Sequence, residues 1–411
     1  MVTFDIVIVG AGLAGLYCGI QLAKKGKSVC ILEKYNYTGG RVVTYHKGGL
    51  SWEIGAGRIS DSHTMVHSLL SQYDLKTFPL SDKQLFIESD GTAHVNRFES
   101  VFEAVLKEVS DLPAELLGTH TLEQLLKRIY GEAKAMRLLA GFPYRAEVSV
   151  LRADLGIKAF LKGGEMGSYK GYSVVVGGLS KLIDAMVKEF KKNGGTLKTQ
   201  CEMIGLSQGE SQVLIKCRDT VFNANKVILA LHSSALKACP DTRHFPALKH
   251  LVMCPLLRTY AVFPLKDGKP WFAGLERCVS AGPIRYFIPI NEKKGIAMVS
   301  YTDADNADFL IKMMDSKGEE ALGKFIMEEL GKMFPDRDIP PYTLFKAHPW
   351  YSGCSYWTTG SYDPVIMSEE AMHPDASMPS VYVCGESFSL KQAWMEGALE
   401  HASDMLNKYF N

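Results

Sequence analysis

The sequence predicts an α/β fold that begins with a Rossmann-type βαβ unit, and three features of the N-terminal region predict it. An apolar, β-branched run from Asp5 to Val9 is typical of a buried parallel strand. Glycines in GxGxxG spacing follow at once, at Gly10, Gly12 and Gly15. A second apolar strand then ends at Glu33, 18 residues after Gly15. Strand, glycine turn, helix and acidic residue in this order predict a dinucleotide site.

Each residue of this unit has a defined task in such a site. Gly10 makes the tight turn, Gly12 lets the backbone approach a pyrophosphate, and Gly15 lets the helix lie close to the sheet. Ala14 falls in the first helical turn, where backbone N–H groups face the phosphates. Glu33 is placed to accept hydrogen bonds from a ribose 2′-OH. The alternative interpretation is a glycine-rich turn in an ordinary α/β domain.

A second glycine element follows Glu33 within a few residues, as Thr38-Gly39-Gly40-Arg41. The glycine pair suits close approach of the backbone, and the Arg41 guanidinium suits a charge-assisted contact with a second phosphate. The element resembles the glycine-glycine-arginine sequence that follows the ribose acid in FAD enzymes of the glutathione-reductase and amine-oxidase type. A site for nicotinamide alone does not require it, so the predicted cofactor is FAD.

The C-terminal region resembles the closing FAD motif of the flavin amine oxidase family. Ser380 to Cys384 is expected to form a last buried strand, Gly385 and Glu386 follow directly, and a helix opens near Met395. The resemblance implies that Glu386 holds the ribityl chain. It also implies that the helix N-terminus near Met395 lies at the N1–C2=O edge of the isoalloxazine ring, where negative charge accumulates on reduction.

Between these ends the chain is predicted to alternate between two domains. A helix opening at 176–179 and ending at 193–195 leads into a predicted strand at 196–204, and the resemblance implies that the backbone around Cys201 flanks the adenine. Amphipathic helices are predicted at 101–109, 122–139 and 318–333, and a sheet between 251 and 299. The predicted architecture is a glutathione-reductase-type FAD-binding Rossmann domain with an inserted α+β substrate domain that includes a helical subdomain. The segments are 1–75, 176–245 and 346–411 for the first domain and 76–175 and 246–345 for the second.

Composition limits the partners of the protein. The 411 residues, 46% of them hydrophobic, are enough for two cores. A formal net charge of +1 provides no field for nucleic acid or an anionic membrane, and no apolar run approaches the ~20 residues of a membrane span. The nine cysteines lack close CxxC pairs, which favours reduced thiols over a disulfide frame or a metal site. We therefore expect a cytoplasmic enzyme whose partners are a small substrate and O2, and the sequence leaves a homodimer open.

The pocket residue that most directly separates substrate classes is Arg58, at the end of the segment 52–60. In the amine oxidase family this segment, which includes Gly57, runs along the flavin. L-amino acid oxidases carry an arginine there that clamps the substrate carboxylate, and this segment resembles theirs. A guanidinium suits that task because it binds carboxylate with two hydrogen bonds and stays charged when desolvated. The alternatives are pairing of Arg58 with a flavin phosphate or with Glu53.

A second wall of the pocket is predicted at 348–357. It resembles the segment of monoamine oxidases in which a cysteine carries covalent flavin and the next residue is a cage tyrosine. Here Ser355 occupies the covalent position and Cys354 stands one place early, so non-covalent FAD is predicted. Tyr356 and Trp394 are expected to form two aromatic faces that direct the amine towards flavin N5, with plain core packing as the alternative.

One position departs from the family. Many members hold a lysine through water against flavin N5, and the matching strand here carries Arg258. Arginine does not deprotonate in proteins, so a role that needs a neutral amine is excluded. Either Arg258 orders the same water, or reoxidation by O2 is altered, or the residue does not occupy that position.

These features predict FAD-dependent oxidation of an L-amino acid by hydride transfer from the α-carbon to flavin N5. The products are a 2-oxo acid, ammonia and hydrogen peroxide. A monoamine or polyamine oxidase is the first alternative, and a flavin-binding protein without turnover is the second. A desaturase-like relative acting on lipid is the third, and the charge of Arg58 counts against it.

Overall fold

The computed structural model describes residues 3–88, 90–95, 98–142, 144–161 and 171–411. Two seven-stranded sheets organise these residues, with a two-stranded and a three-stranded sheet beside them. The strands are β1 (Thr3–Val9), β2 (Val29–Leu32), β3 (Thr44–Lys47), β4 (Leu50–Glu53), β5 (Ile59–Ser60), β6 (Thr77–Pro79), β7 (Gln84–Ile87), β8 (Ala93–Val95), β9 (Tyr172–Val175), β10 (Thr196–Lys198), β11 (Met203–Gln208), β12 (Val213–Cys217), β13 (Val221–Leu229), β14 (Leu251–Val262), β15 (Arg277–Ser280), β16 (Tyr286–Asn291), β17 (Ile296–Asp303), β18 (Leu344–Trp357) and β19 (Val381–Val383).

The helices lie on the faces of these sheets and in a separate helical layer. They are α1 (Leu13–Lys24), α2 (Thr64–Gln72), α3 (Phe98–Ser110), α4 (Ala114–Thr119), α5 (Leu122–Tyr130), α6 (Glu132–Ala140), α7 (Ala146–Ser149), α8 (Ala153–Phe160), α9 (Ser180–Lys192), α10 (Ser233–Ala238), α11 (Ala304–Lys317), α12 (Glu319–Met333), α13 (Pro364–Glu370) and α14 (Met395–Tyr409). Short 3-10 turns lie at Pro246–His250, Glu292–Lys294 and Glu386–Phe388.

The first sheet has the predicted Rossmann-type arrangement. Its order is β10-β2-β1-β13-β12-β11, with β19 also paired to β13. Strands β10, β2, β1, β13 and β19 run parallel to one another. Parallel strands are buried on both faces, which explains why β1 and β2 are nearly continuous apolar runs. Helices α1, α2, α9 and α14 pack in one hydrophobic core with one face of the sheet. The glycine-containing segments that follow β1 and β19 therefore lie at the same edge of the sheet.

The second sheet has the order β18-β14-β17-β16-β15-β7-β8 and packs against α11 and α12. Strand β18 pairs with β14 from Leu251 opposite Trp357 to Val262 opposite Leu344, with an irregularity where residues 351–353 have no partner in the register. The first part of the predicted cofactor segment 346–411 thus lies in the second sheet. The reason is the long antiparallel pairing of β18 with β14, which residue patterns within the segment do not reveal.

Two predicted elements are divided in the structure. The helix expected over 122–139 is interrupted at Gly131, whose φ of +76° ends α5 and starts α6. The strand expected over 196–204 is interrupted at Gln200, which has a φ of +55°, so β10 and β11 are separate. Helices α3 to α8 share a separate hydrophobic core, to which Val279 and Tyr286 of the second sheet also contribute.

None of the helices within the described residues is both long enough and apolar enough to cross a membrane.

Candidate functional site

The glycines after β1 bring helix α1 against the sheet. A Cβ atom on Gly15 would lie 2.0 Å from the carbonyl oxygen of Gly10, and one on Gly10 would lie 2.5 Å from the carbonyl oxygen of Ala230. Gly10 also has a φ of +106°, which side-chain-bearing residues rarely adopt. These two positions accept only glycine, because any side chain would separate α1 from β1 and β13.

Three segments that are distant in the chain meet at the N-terminus of α1, and each contributes glycine backbone that no side chain of the described residues covers. Gly12 forms a bridge with Gly39, and a Cβ on Gly40 would lie 3.5 Å from the Cα of Gly12. A Cβ on Gly385 would lie 4.0 Å from the Cβ of Ala14. The predicted cofactor residues of the first, second and last motifs are therefore neighbours. Open glycine backbone facing a helix N-terminus fits a pyrophosphate.

Glu33 and Cys201, which are both expected to contact the adenosine end of the cofactor, lie side by side. The backbone N–H of Cys201 donates to the carbonyl of Glu33 over 2.8 Å. The buried Glu33 carboxylate accepts from the N–H of Ala11 at 2.9 Å, so it is fixed at the start of the glycine turn. The Cys201 thiol contacts that of Cys217, with 3.1 Å between the sulfur atoms.

Arg41 and Glu386 form an ion pair of 2.7 Å between Nη2 and Oε2. The other Glu386 oxygen accepts from the N–H groups of Ser355, at 3.2 Å, and Ala393, at 2.7 Å. Arg41 also donates to the carbonyl of Gly353 at 2.9 Å. Glu386 thus joins the end of β18 to the segment before α14 and brings Arg41 to the same point.

The start of α14 is fixed by a buried carboxylate. Met395 is the first residue of the helix and is buried. The next residue, Glu396, accepts from the N–H groups of Met65 and Val66 at 2.8 and 3.0 Å, and from the Thr64 hydroxyl at 3.2 Å. It therefore caps α2, the helix that follows Arg58, and ties the two chain segments that carry Arg58 and Trp394.

Arg58 lies within a wall of aromatic rings. Its guanidinium carbon is 4.8 Å from the ring centre of Tyr172, 5.4 Å from Tyr144 and 5.5 Å from Trp394. Its Nη2 donates to the Tyr144 hydroxyl. Strand pairing explains the first contact, because Ser60 in β5 lies opposite Tyr172 in β9. No carboxylate in the described part of the chain forms an ion pair with Arg58, and the Glu53 carboxylate instead accepts from Thr44 and Leu179.

The charge of Arg58 persists despite burial. Burial lowers the pKa of this guanidinium, but the surrounding hydroxyls of Tyr144, Tyr172, Tyr286 and Tyr301 outweigh it and raise the pKa above its ordinary value. The rings add cation–π attraction, which strengthens when a cation is desolvated. Arg58 is thus a positive charge whose described neighbours are aromatic rings and the Tyr144 hydroxyl, which accepts one of its hydrogen bonds.

Arg258 reaches the segment before Arg58 from the opposite side. It is buried, its Nη1 donates to the carbonyl of Glu53 over 3.2 Å, and its guanidinium lies 4.5 Å from the ring centre of Tyr301. A Cβ on Gly57 would lie 2.9 Å from Nη1. Arg258 is therefore packed directly against Gly57.

Tyr356 and Trp394 have different neighbours. Tyr356 is buried and donates its hydroxyl to Oε1 of Glu147 over 3.0 Å. The Trp394 ring is nearly parallel to Tyr172, with 6.1 Å between centres, and meets His63 edge-on at 5.0 Å. Their chain segments adjoin through Glu386, which accepts from Ser355 and Ala393.

Several residues of this site were missed by sequence reasoning. Tyr144, Tyr172 and Glu147 come from the helical subdomain and the strand behind it, and no glycine motif or ligand spacing marks them. The only signal is an acid at 147 within an otherwise small or apolar stretch, a pattern that an exposed helix face shares. Burial first, and the nearby Asp303 carboxylate second, raise the pKa of Glu147 to about 8.

The sequence profile of the flavin containing amine oxidoreductase family matches residues 13–404. This chain belongs to that family. The protein is 23% identical to the flavin-dependent L-tryptophan oxidase of Lentzea aerocolonigenes over 97% of this chain and 96% of that protein. It is 23% identical to aplysianin-A of Aplysia kurodai over 99% of this chain and 90% of that protein. A mouse L-amino-acid oxidase is 26% identical over 56% of this chain and 42% of the mouse protein.

Solved structures share the fold at low sequence identity. A putrescine oxidase variant superposes with a TM-score of 0.80 and 18% identity, covering 99% of both chains. A putative protoporphyrinogen oxidase from Exiguobacterium has a TM-score of 0.76 and 16% identity, covering 98% of both chains. The α/β fold predicted from the sequence is confirmed, as is membership of a flavin-dependent oxidoreductase family.

Proposed function

We propose that this member of the family is an FAD-dependent L-amino acid oxidase. The observation that carries the proposal is the charged Arg58, held among Tyr144, Tyr172 and Trp394 with no carboxylate paired to it in the described part of the chain. A buried charge is stable when an opposite charge pairs with it. The α-carboxylate of an amino acid supplies that charge, and a simple amine does not.

The residues fit a flavin dinucleotide. Gly12, Gly40 and the N-terminus of α1 suit the pyrophosphate, and Glu33 with the backbone of Cys201 suits the adenosine end. FAD, when bound, accepts hydride from the substrate α-carbon and passes the two electrons to O2, which gives hydrogen peroxide. Arg41 and Glu386 lie between β18 and the glycine cradle formed by Gly10, Gly12, Gly15 and Gly40, and from there they would hold the middle of the cofactor.

The chain's own contribution is to orient the substrate and exclude water. Arg58 holds the carboxylate, while the rings of Tyr356 and Trp394 form the walls beside the amine. Fixing both the carboxylate and the side chain leaves the α-hydrogen of only one enantiomer directed at the flavin. The released imino acid hydrolyses to the 2-oxo acid and ammonia. Arg258 remains cationic, so its role beside Gly57 is to order solvent or stabilise charge.

The alternative is a monoamine or polyamine oxidase. The low-identity structural likeness to putrescine oxidase extends to the fold alone, but aromatic walls also suit an amine. A flavin-binding protein without turnover is a weaker alternative, because Tyr356 and Trp394 both remain.

Substrate preference tests the proposal. Purified holoprotein is mixed with an L-amino acid, its D-enantiomer or the amine left by its decarboxylation, and flavin bleaching is followed without oxygen. We expect the L-amino acid to reduce the flavin at least about tenfold faster than the other two, since a hydrogen-bonded ion pair is involved. Equal reduction by the amine contradicts the carboxylate assignment and favours an amine oxidase.

Non-covalent binding of the cofactor is part of the proposal. The Ser355 side chain is fully buried, and burial raises the pKa of the neighbouring Cys354 thiol well above its usual range, which disfavours a reactive thiolate. Acid precipitation of the yellow protein is therefore expected to release the flavin. Flavin retained in the pellet and located on Cys354 by mass spectrometry contradicts this.

A further inference from the structure

The carboxyl group of Glu147 is buried beside the Tyr356 hydroxyl, its own backbone N–H and the Asp303 carboxyl. Oε1 accepts from the Tyr356 hydroxyl at 3.0 Å, whereas Oε2 has no hydrogen-bond partner among the described residues. The side chain is only 5% exposed. A buried acceptor without a partner is destabilising by an amount comparable to a lost hydrogen bond, so native proteins rarely keep one without a reason.

The charged groups around Glu147 are committed elsewhere. Asp303, at the end of β17, accepts from the backbone N–H groups of Arg145 and Ala146 at 2.9 and 3.1 Å and so anchors the start of α7. The Arg145 side chain turns away and pairs with Glu123 at 2.7 Å. The other titratable groups facing Glu147 are Tyr356, Cys254 and Cys354, and Arg58 acts on it only through space. No protein cation in the described residues pairs with this carboxyl.

One short segment links Glu147 to the proposed carboxylate clamp. Tyr144 accepts from Arg58, and Glu147 follows three residues later and accepts from Tyr356. Arg58 and Glu147 are therefore linked through one short segment, and they favour groups of opposite charge. A molecule held at Arg58 by its carboxylate and at Tyr356 by its amine has its side chain left to interact with Glu147.

A surface cavity shares one ring with the surroundings of Arg58. The cavity, of about 430 Å³, is bordered by Asp61, Asp82, His67 and Tyr172, and its described lining includes no lysine or arginine. Tyr172 is also the ring that contacts Arg58 and lies parallel to Trp394, whereas Glu147 is not part of this lining. Negative charge at a cleft raises the local concentration of cations, so the two aspartates favour approach of a cationic substrate to Tyr172.

We propose that Glu147 is a specificity-determining residue that binds a second cationic group on the substrate, which makes basic L-amino acids the preferred class. This inference rests on the proposed function, because it takes Tyr356 to stand beside the reacting amine. The distal ammonium donates to Oε2, the oxygen without a partner among the described residues. This hydrogen-bonded ion pair gives a partner to the carboxyl oxygen that otherwise lacks one among the described residues.

Four compounds separate this inference from the proposed function. L-lysine and L-norleucine differ in the distal ammonium, and 1,5-diaminopentane and pentylamine are their counterparts without the carboxylate. Comparing L-lysine with L-norleucine measures recognition of the distal ammonium. Comparing each amino acid with its amine measures recognition of the carboxylate. The readout is kcat/KM for anaerobic flavin reduction of the holoprotein, with the wild type and Glu147→Gln side by side.

The expected result is that the wild type prefers L-lysine to L-norleucine and that Glu147→Gln lowers this ratio roughly 10- to 100-fold, the range for losing a hydrogen bond to a charged group. L-norleucine is the internal reference, because any effect of the variant on Tyr356 or on flavin reduction itself acts on both amino acids and cancels in their ratio. Glu132→Gln, an exposed acid on α6, is the matched control and should leave the ratio unchanged.

A second measurement needs no variant. In the wild type the preference for L-lysine should grow as pH rises towards 8 and above, because burial first and Asp303 second raise the pKa of Glu147 to about 8. The distal ammonium stays protonated over this range.

The outcomes are distinct. An L-lysine preference that Glu147→Gln abolishes supports the inference. If the ratio of kcat/KM for L-lysine to that for L-norleucine is near one, or is unchanged by the variant, the inference is overturned. The proposed function still stands in that case if the amino acids are preferred to the amines. Faster reduction by both amines than by both amino acids overturns the proposed function. In that case the ratio of kcat/KM for 1,5-diaminopentane to that for pentylamine tests the role of Glu147 separately. Failure of all four compounds to reduce the flavin overturns the inference, and the proposed function is then decided by L-amino acids with other side chains compared with their decarboxylated amines.

Discussion

The glycine cradle at the start of α1 is made of backbone, whereas the wall around Arg58 is made of side chains. In the cradle, Gly10 and Gly15 come together because there is no Cβ between them. Around Arg58, by contrast, Tyr144 and Tyr172 surround a charge with rings. Backbone recognition requires glycine at fixed spacing, but a side-chain wall accepts residues from any segment that reaches it. The first is therefore visible in a sequence and the second is not.

The largest effect in this comparison is expected at Gly15. A Cβ at this position would lie only 2.0 Å from the carbonyl oxygen of Gly10, so Gly15→Val forces α1 to move away from β1. We expect protein without bound flavin, or no soluble protein, as judged by the ratio of flavin to protein absorbance. Gly331→Ala is the control, because a Cβ there meets nothing within 4 Å. Normal flavin content in Gly15→Val contradicts the cradle.

A smaller effect is expected where the two regions are joined. Glu396→Ala removes the acceptor of the Met65 and Val66 N–H groups at the start of α2, which should lower the free energy of unfolding by about 1–3 kcal/mol. Flavin content should stay normal. Glu369→Ala, which removes an exposed pair with Lys408, should have almost no effect on the denaturation midpoint. Equal midpoints for the two variants count against a structural role for Glu396.

A third effect concerns the pH dependence of stability. Glu147 binds its proton more tightly in the folded protein, so its contribution is complete below a pH of about 4.5 and is lost as pH rises towards 8. Glu147→Gln has no such loss. The variant should therefore gain stability relative to the wild type as pH is raised from 5 to 8, measured by denaturant unfolding of the holoprotein. A difference that does not vary with pH means that Glu147 is already ionised at pH 5.

The contrast between a glycine backbone site and a side-chain wall also explains which parts of the site the sequence could predict. Gly10, Gly12 and Glu33 act through local chain geometry, and the structure brings them together with Gly40 and Gly385 as their motifs imply. The interruption of the predicted strand at Gln200 depends on a single positive φ, which no hydrophobic pattern encodes.

The pocket was only partly predictable for a related reason. Arg58 and Trp394 were found through resemblance, but their partners Tyr144 and Tyr172 reach them only through the packing of the helical subdomain and the pairing of β5 with β9. Glu147 is exposed or buried according to that packing, and the sequence around it favours neither. Tertiary contacts between segments far apart in the chain decide such positions.

The most direct test of the account removes the charge of Arg58. If the guanidinium pairs with the substrate carboxylate, Arg58→Ala strands one partner of a buried pair, which costs about 3–5 kcal/mol. At ~1.4 kcal/mol per tenfold, kcat/KM for the best L-amino acid should fall by roughly two to four orders of magnitude. The decarboxylated amine, poor with the wild type, should lose little more, and Arg58→Lys should recover only part of the loss because lysine lacks the two-pronged geometry. Full amino-acid activity in Arg58→Ala, with flavin bound, contradicts the central claim.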